Sequence, residues 1–135
     1  MLVQLQVHSL GADAATDTPI LYLQETTGQR VLPIWIGRPE ATAIAVRLAD
    51  RTFGRPLTHD LLARVILGFG GQLSRVILRR GPDNLYLADM LLVRGDVEFT
   101  VDARPSDAIA VALRMEAPIF AGDELLPPAE AAATS

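Results

Sequence analysis

LYLADMLLVRGDVEFTVDARPSDAIAVALRM, residues 85–115, places a hairpin, a corner and a helix in unbroken succession. Gly95-Asp96 separates two β-rich runs, 85–94 and 97–103, by the two residues that a tight hairpin turn requires. Setting Arg94 opposite Val97 pairs Leu92 with Phe99, Met90 with Val101 and Ala88 with Ala103. Every one of those pairs lies on one apolar face, so a one-residue slip would turn that face to solvent, and the register is well specified. The same register sets Asp89 against Asp102 on the other face. Like charges directly across a ladder are destabilising unless a cation intervenes, either an arginine or a divalent metal.

After the corner, Pro105 suits the first position of a helix, where no amide hydrogen is needed. Ala108, Ile109, Val111, Ala112 and Leu113 then cover most of the helix circumference, which predicts a nearly buried helix from Pro105 to about Met115. Its small alanine faces let another helix approach closely, including one from a second subunit.

Toward the N-terminus, 2–8 and 20–26 read as strands joined by a long polar loop, and 31–37 as a third strand. Pro33 argues that this third strand lies at an edge or that its pairing breaks there. A helix is predicted from the Gly37-Arg38-Pro39-Glu40 start to about Asp50, with Ala41, Ile44, Ala45 and Leu48 on one face. A second begins with Thr58 as N-cap and carries Leu61, Leu62, Val65, Ile66 and Phe69 at helical spacing. Asp60 and Arg64 stand four apart in the favourable order, and Gly68, Gly70 and Gly71 end the helix. Residues 72–80 read as a strand, 81–84 as a turn, 118–120 as a short strand or extended piece and 122–128 as a last turn. The fold class is α+β: one compact domain over 1–126, a mixed, mostly antiparallel sheet packed with three main helices, and a flexible tail over 127–135.

The chain has 135 residues, which fits a single domain, and no cysteine, which excludes disulfides and thiolate metal sites. All twelve basic residues are arginine, so every cation can fork onto a carboxylate or phosphate. The net charge of −4 runs against passive polyanion binding, which depends on basic side chains neutralising phosphates. No apolar run approaches the ~20 residues of a membrane span, and the N-terminal stretch alternates like a strand; no membrane association and a cytoplasmic location are expected.

Glu40, Asp60 and Asp107 each fall in the first turn of a helix, where a carboxylate is favoured by the helix dipole without any further role. Asp102 ends a strand and caps nothing. With Asp89 beside it, Arg104 two residues on and Asp107 at the helix start, these groups could share one ligand: magnesium sites use one or two carboxylates with substrate phosphate, and arginine holds phosphate. His59 is a candidate general base, though such a residue just after a cap is also an ordinary surface histidine. The glycines of GFGG follow a helix and precede a strand, the reverse of a phosphate loop. Trp35 reads as packing rather than as a stacking platform.

Three strings in order and spacing, LPIWIGRPEATAIA (32–45), RPLTHDLL (55–62) and DARPSDAIAVALRMEAPIF (102–120), resemble the bifunctional nuclease family over roughly residues 2–126. The resemblance implies a compact, self-associating α+β domain, found alone in bacteria and linked to others in plants, with DNase and RNase activity attributed to some members. The matching polar positions are Glu40, Thr58, His59, Asp60, Asp102, Arg104, Ser106 and Asp107. Where similar sequences tend to carry a basic residue before the hairpin, this chain has Asp89. The expectation is a hydrolase cutting phosphodiester bonds of DNA or RNA. Asp102, Asp107 and Asp89 would bind Mg2+ or Mn2+, with no organic cofactor. Asp102, Asp107, His59 and Glu40 would be catalytic, and Arg104, Arg38 and Ser106 would hold the substrate. The alternative is a non-enzymatic oligomeric binding or regulatory module, a homodimer by default, whose polar corner is structural.

Overall fold

The computed structural model describes residues 1–128. The elements follow as β1 (Leu2–Ala12), β2 (Pro19–Glu25), β3 (Val31–Trp35), α1 (Arg38–Leu48), α2 (Thr58–Gly68), β4 (Gln72–Arg80), β5 (Tyr86–Arg94), β6 (Val97–Ala103), α3 (Pro105–Met115) and β7 (Ile119–Gly122). Two antiparallel meanders, β1-β2-β3 and β4-β5-β6, are joined by β7 into one sheet of order β3-β2-β1-β7-β4-β5-β6. β7 runs antiparallel to β1 and parallel to β4. The sheet is thus mixed and mostly antiparallel, packed with three helices, as the α+β reading expects.

The β5–β6 register is the one read from the hairpin, including Asp89 opposite Asp102. Only the β5 half of its apolar face, Ala88 and Met90, is core, since Phe99 and Val101 of the edge strand are each 42% exposed. β3, with Pro33 inside it, lies at one edge of the sheet, where a missing amide hydrogen is tolerated. The short piece at 118–120 becomes the central strand β7; Ile119 and Ala121 are buried, so four residues with two pairing partners suffice to close the sheet.

The core lies between the sheet and α3. Ala108, Ile109, Ala110, Val111 and Ala112 are fully buried, and α3 packs on β4 and β5 beneath and on α1 and α2 beside it. The alanine faces are therefore covered by helices of the same chain, not by a second subunit.

The other two helices turn differently from the expected faces. In α1, Ala43 and Ile44 are buried while Ala45 and Leu48 are exposed. In α2 the small Ala63 is buried, and Leu61, Leu62, Val65 and Phe69 are 53%, 40%, 45% and 74% exposed. Close helix packing on α3 selects the small side chain and leaves the bulky stripe outward. Thr58 is not the N-cap either. Leu57 holds that position, and Asp60 Oδ2 reaches back to accept its amide hydrogen at 2.9 Å. The other oxygen of Asp60 accepts from Arg114 of α3 rather than pairing with Arg64, which ties the start of α2 to the end of α3. Trp35 is 53% exposed and donates to Asp13 Oδ2 at 2.9 Å, so it serves neither the core nor a stack.

Among the described residues no helix is long and apolar enough to cross a membrane. Of the expected tail, 129–135 lie outside the described residues; the carbonyl of Pro127 accepts a hydrogen bond from Arg30 Nη1 at 3.3 Å.

Candidate functional site

The first turns of α1, α2 and α3 open onto one cavity of about 560 Å3, closed on its remaining side by the end of β6. Glu40 comes from the first turn of α1, His59 from that of α2, and Arg104 and Asp107 from the start of α3; Asp102, Leu62 and Val101 also line it. Three helix N-termini therefore border the same space; their dipoles favour an anion, while Glu40, Asp102 and Asp107 in the lining oppose one against a single arginine, Arg104.

Inside this space the side chains are linked. His59 Nε2 lies 2.8 Å from Asp107 Oδ1. Arg104 places Nε at 2.9 Å and Nη2 at 2.8 Å from Asp107 Oδ2, and Nη2 also lies 3.6 Å from Glu40 Oε2. Burial pushes the Asp107 carboxyl up, but hydrogen bonds from His59 and Arg104, reinforced by their charges, outweigh it and hold the group below its ordinary range. An ionised carboxylate only accepts hydrogen bonds, so Nε2 of His59 carries the shared proton. In the neutral ring Nδ1 is then the basic nitrogen, and no described residue hydrogen-bonds it. His59 is only 11% exposed, whereas Arg104 is 67% exposed and offers its guanidinium to the opening. A base oriented by a carboxylate, beside a cationic fork, can deprotonate a nucleophile next to a bound oxyanion.

The carboxylates assigned to a shared ion are held differently. Asp89 takes two hydrogen bonds from Arg79, at 2.9 Å from Nε and 3.3 Å from Nη2. Arg79 Nη2 lies 3.8 Å from Asp102 as well. The cation needed between the two opposed acids is therefore an arginine from β4. Both oxygens of Asp107 are engaged by His59 and Arg104, which leaves Asp102, at 76% exposure, as the acid of the three with the most open carboxylate. Among the described residues no three of His, Asp and Glu are grouped so as to hold a metal ion. Asp89, Asp102 and Asp107 as they stand do not fit one Mg2+ or Mn2+.

The remaining positions fall away from the cavity. Arg38 turns to the β1–β2 loop, where Nη2 meets Asp17 Oδ2 at 3.0 Å. Ser106 is 6% exposed, buried at the start of α3, and does not line the cavity. Reading the sequence missed Arg79, although β4 places Ile77 opposite Asp89 and so makes Arg79 its diagonal neighbour.

Fold and cavity together describe a single-domain α+β protein with an acid–base and arginine cluster at converging helix starts. The family model described as "Bifunctional nuclease domain" matches residues 21–134, and the chain belongs to that family. It is also similar to two curated proteins of Mycobacterium tuberculosis, the uncharacterized proteins Rv1829 of strain H37Rv and MT1877 of strain CDC 1551. Each is 37% identical over 123 residues, covering 91% of this chain and 73% of the relative.

Proposed function

We propose that the protein is a nuclease that hydrolyses phosphodiester bonds of DNA or RNA in the cytoplasm, with the cavity at the three helix starts as its active site. The observation that carries this reading is the His59–Asp107–Arg104 cluster, which lines a space bordered by three helix starts. Arg104 and the helix starts hold the phosphate oxygens. His59 Nδ1 takes a proton from the attacking water as the new P–O bond forms, and Asp107 fixes the ring and stabilises its charged form. Glu40, beside Arg104, is assigned to proton transfer at the leaving oxygen when the old P–O bond breaks.

The other arm, assistance by Mg2+ or Mn2+ at Asp102 with Asp107 and Asp89, is the one the geometry disfavours, because Arg79 and Arg104 hold these acids. Both arginines would have to release them to admit the ion. An assay of the purified protein on labelled oligonucleotides, with and without chelator and beside Asp102→Asn, separates the arms. Cleavage that survives chelator and Asp102→Asn supports the histidine arm; cleavage lost to both supports the metal arm. No cleavage under either condition overturns the nuclease reading.

A second reading, an oligomeric binding or regulatory module, is favoured by the outward stripe of α2 together with Val97, Phe99 and Val101 of the edge strand β6, all at least 42% exposed apart from Leu62 at 40%. Leu62 and Val101 share the cavity rim, so this apolar surface is continuous with the site. We assign it to self-association, as a homodimer that would narrow the cavity mouth.

A further inference from the structure

A second cavity, of about 300 Å3, lies where the end of α1, the 49–57 loop, one side of α2 and the end of α3 meet. Arg47, Arg51, Arg55, Arg64 and Arg114 line it, against a single acid, Asp60. Five of the twelve arginines of a chain whose net charge is −4 are thus gathered in one concavity. Two of them are fixed in the wall. Arg114 bonds Asp60 and the carbonyls of Ala110 and Ala43; Arg47 donates to the carbonyl of Leu113 and lies 3.6 Å from Asp50. The side chains of Arg51, Arg55 and Arg64 make no hydrogen bond or ion pair with any described residue. They are exposed, and their charges repel one another in a space that holds too little acid to balance them. Phe53, 51% exposed, stands in the same lining and offers an aromatic face.

We propose that this cavity binds a nucleotide unit, its phosphate held by Arg51, Arg55 and Arg64 and its base laid on Phe53. Guanidinium forks match phosphate oxygens in pairs, and an aromatic side chain beside them accepts any base by its π-face. The cavity is at the lower end of the size that encloses a small ligand, so it takes one nucleotide and not a folded polyanion. The unit comes either from a free mononucleotide or from one residue of a single strand. The site shares no arginine with the cavity proposed for hydrolysis, and its occupancy is measurable in the absence of any cleavage.

The test follows the arginine Nε–Hε resonances of the full 15N-labelled chain at matched ionic strength in chelator. The probes are AMP, a twelve-residue oligothymidylate whose phosphorothioate linkages resist cleavage, and a polyglutamate peptide. Saturable shifts of the Arg51, Arg55 and Arg64 signals with AMP or with the oligonucleotide are expected. If AMP alone saturates them the source is a free nucleotide; if the oligonucleotide binds far more tightly it is a strand. Arg51→Gln/Arg64→Gln, or Arg55→Gln in the exposed loop should the double variant fold poorly, weakens binding by roughly ten- to a hundredfold for each guanidinium removed. His59→Asn binds the nucleotide probe at this cavity as the unmodified chain does, which separates this site from the nuclease reading. No saturable shift with either nucleotide probe, undiminished binding by the arginine variants, or equal shifts with polyglutamate would overturn the proposal.

Discussion

His59 Nε2 and Asp107 Oδ1 stand 2.8 Å apart, joining the first turns of two helices across 48 residues of sequence. The pair depends on both helix starts: proline opens α3 and sets Asp107 in its first turn, while Asp60 holds the amide of Leu57 and fixes where α2 begins. Arg104 then occupies the carboxylate oxygen that His59 leaves.

Asp107→Asn keeps the shape of this arrangement and removes its charge. The imidazole loses the acceptor that orients it and stabilises its protonated form. The cleavage rate is expected to fall by roughly 10^2–10^4-fold. Stability falls by about 1–2 kcal/mol as charge-assisted bonds become neutral ones, measured by urea unfolding beside the rate.

Acid should weaken the fold through the same group. The Asp107 carboxyl is held below its ordinary value of 3.8, and so is that of Asp60, where burial acts upward and Arg114 and the Leu57 amide outweigh it. A depressed folded-state pKa contributes stability that is present above the unfolded value and lost as pH falls through the folded one. Melting temperature should therefore owe nothing to these groups' titration between about pH 5 and 8 and decline below about pH 4. Asp60→Asn should make that decline shallower; an unchanged acid limb would show that the ion pair with Arg114 does not form in solution.

The hairpin offers a separate test. Arg79→Gln leaves Asp89 and Asp102 facing each other without a cation. A loss of roughly 0.2–1 kcal/mol is expected from such a cross-strand pair, with recovery in Arg79→Gln/Asp89→Asn. Equal stability of the single variant and the parent chain would mean that Arg79 carries no part of the pairing.

Sedimentation of Val65→Asp reports on the outward face of α2. Val65 is 45% exposed, so the change should cost within about 0.5 kcal/mol of monomer stability. The parent chain should sediment as a dimer and the variant as a monomer. A monomeric parent would remove self-association from the account.

What the sequence disclosed follows from the range of each signal. The β5–β6 register was legible because three apolar pairs, Leu92–Phe99, Met90–Val101 and Ala88–Ala103, share a face in only one alignment, and Pro105 marked the start of α3 for reasons local to one residue. Helical spacing in α2 showed that Leu61, Leu62, Val65 and Phe69 share a side, but spacing cannot say whether that side meets the core or water. The decisive fact was long-range: α3 presents alanines, and helices that pack on it do so through Ala43 and Ala63. β7 was too short to declare its central place. The site was half legible. Glu40, His59, Asp102, Arg104 and Asp107 do line one cavity, while Arg38 and Asp89 answer to other partners and Ser106 is buried away from it. Arg79 escaped notice because the β4–β5 connection passes through Asp83 and Asn84 at positive φ, so no simple two-residue turn disclosed that register.

The most direct measurement is the cleavage rate of His59→Asn on a labelled single-stranded oligonucleotide in chelator, beside the parent chain and Arg79→Gln. The account predicts that the parent and Arg79→Gln cut at similar rates while His59→Asn is slower by at least about a hundredfold with its fold intact. Equal rates for His59→Asn and the parent would contradict it, since the imidazole would then do no chemistry at the cavity where three helices begin.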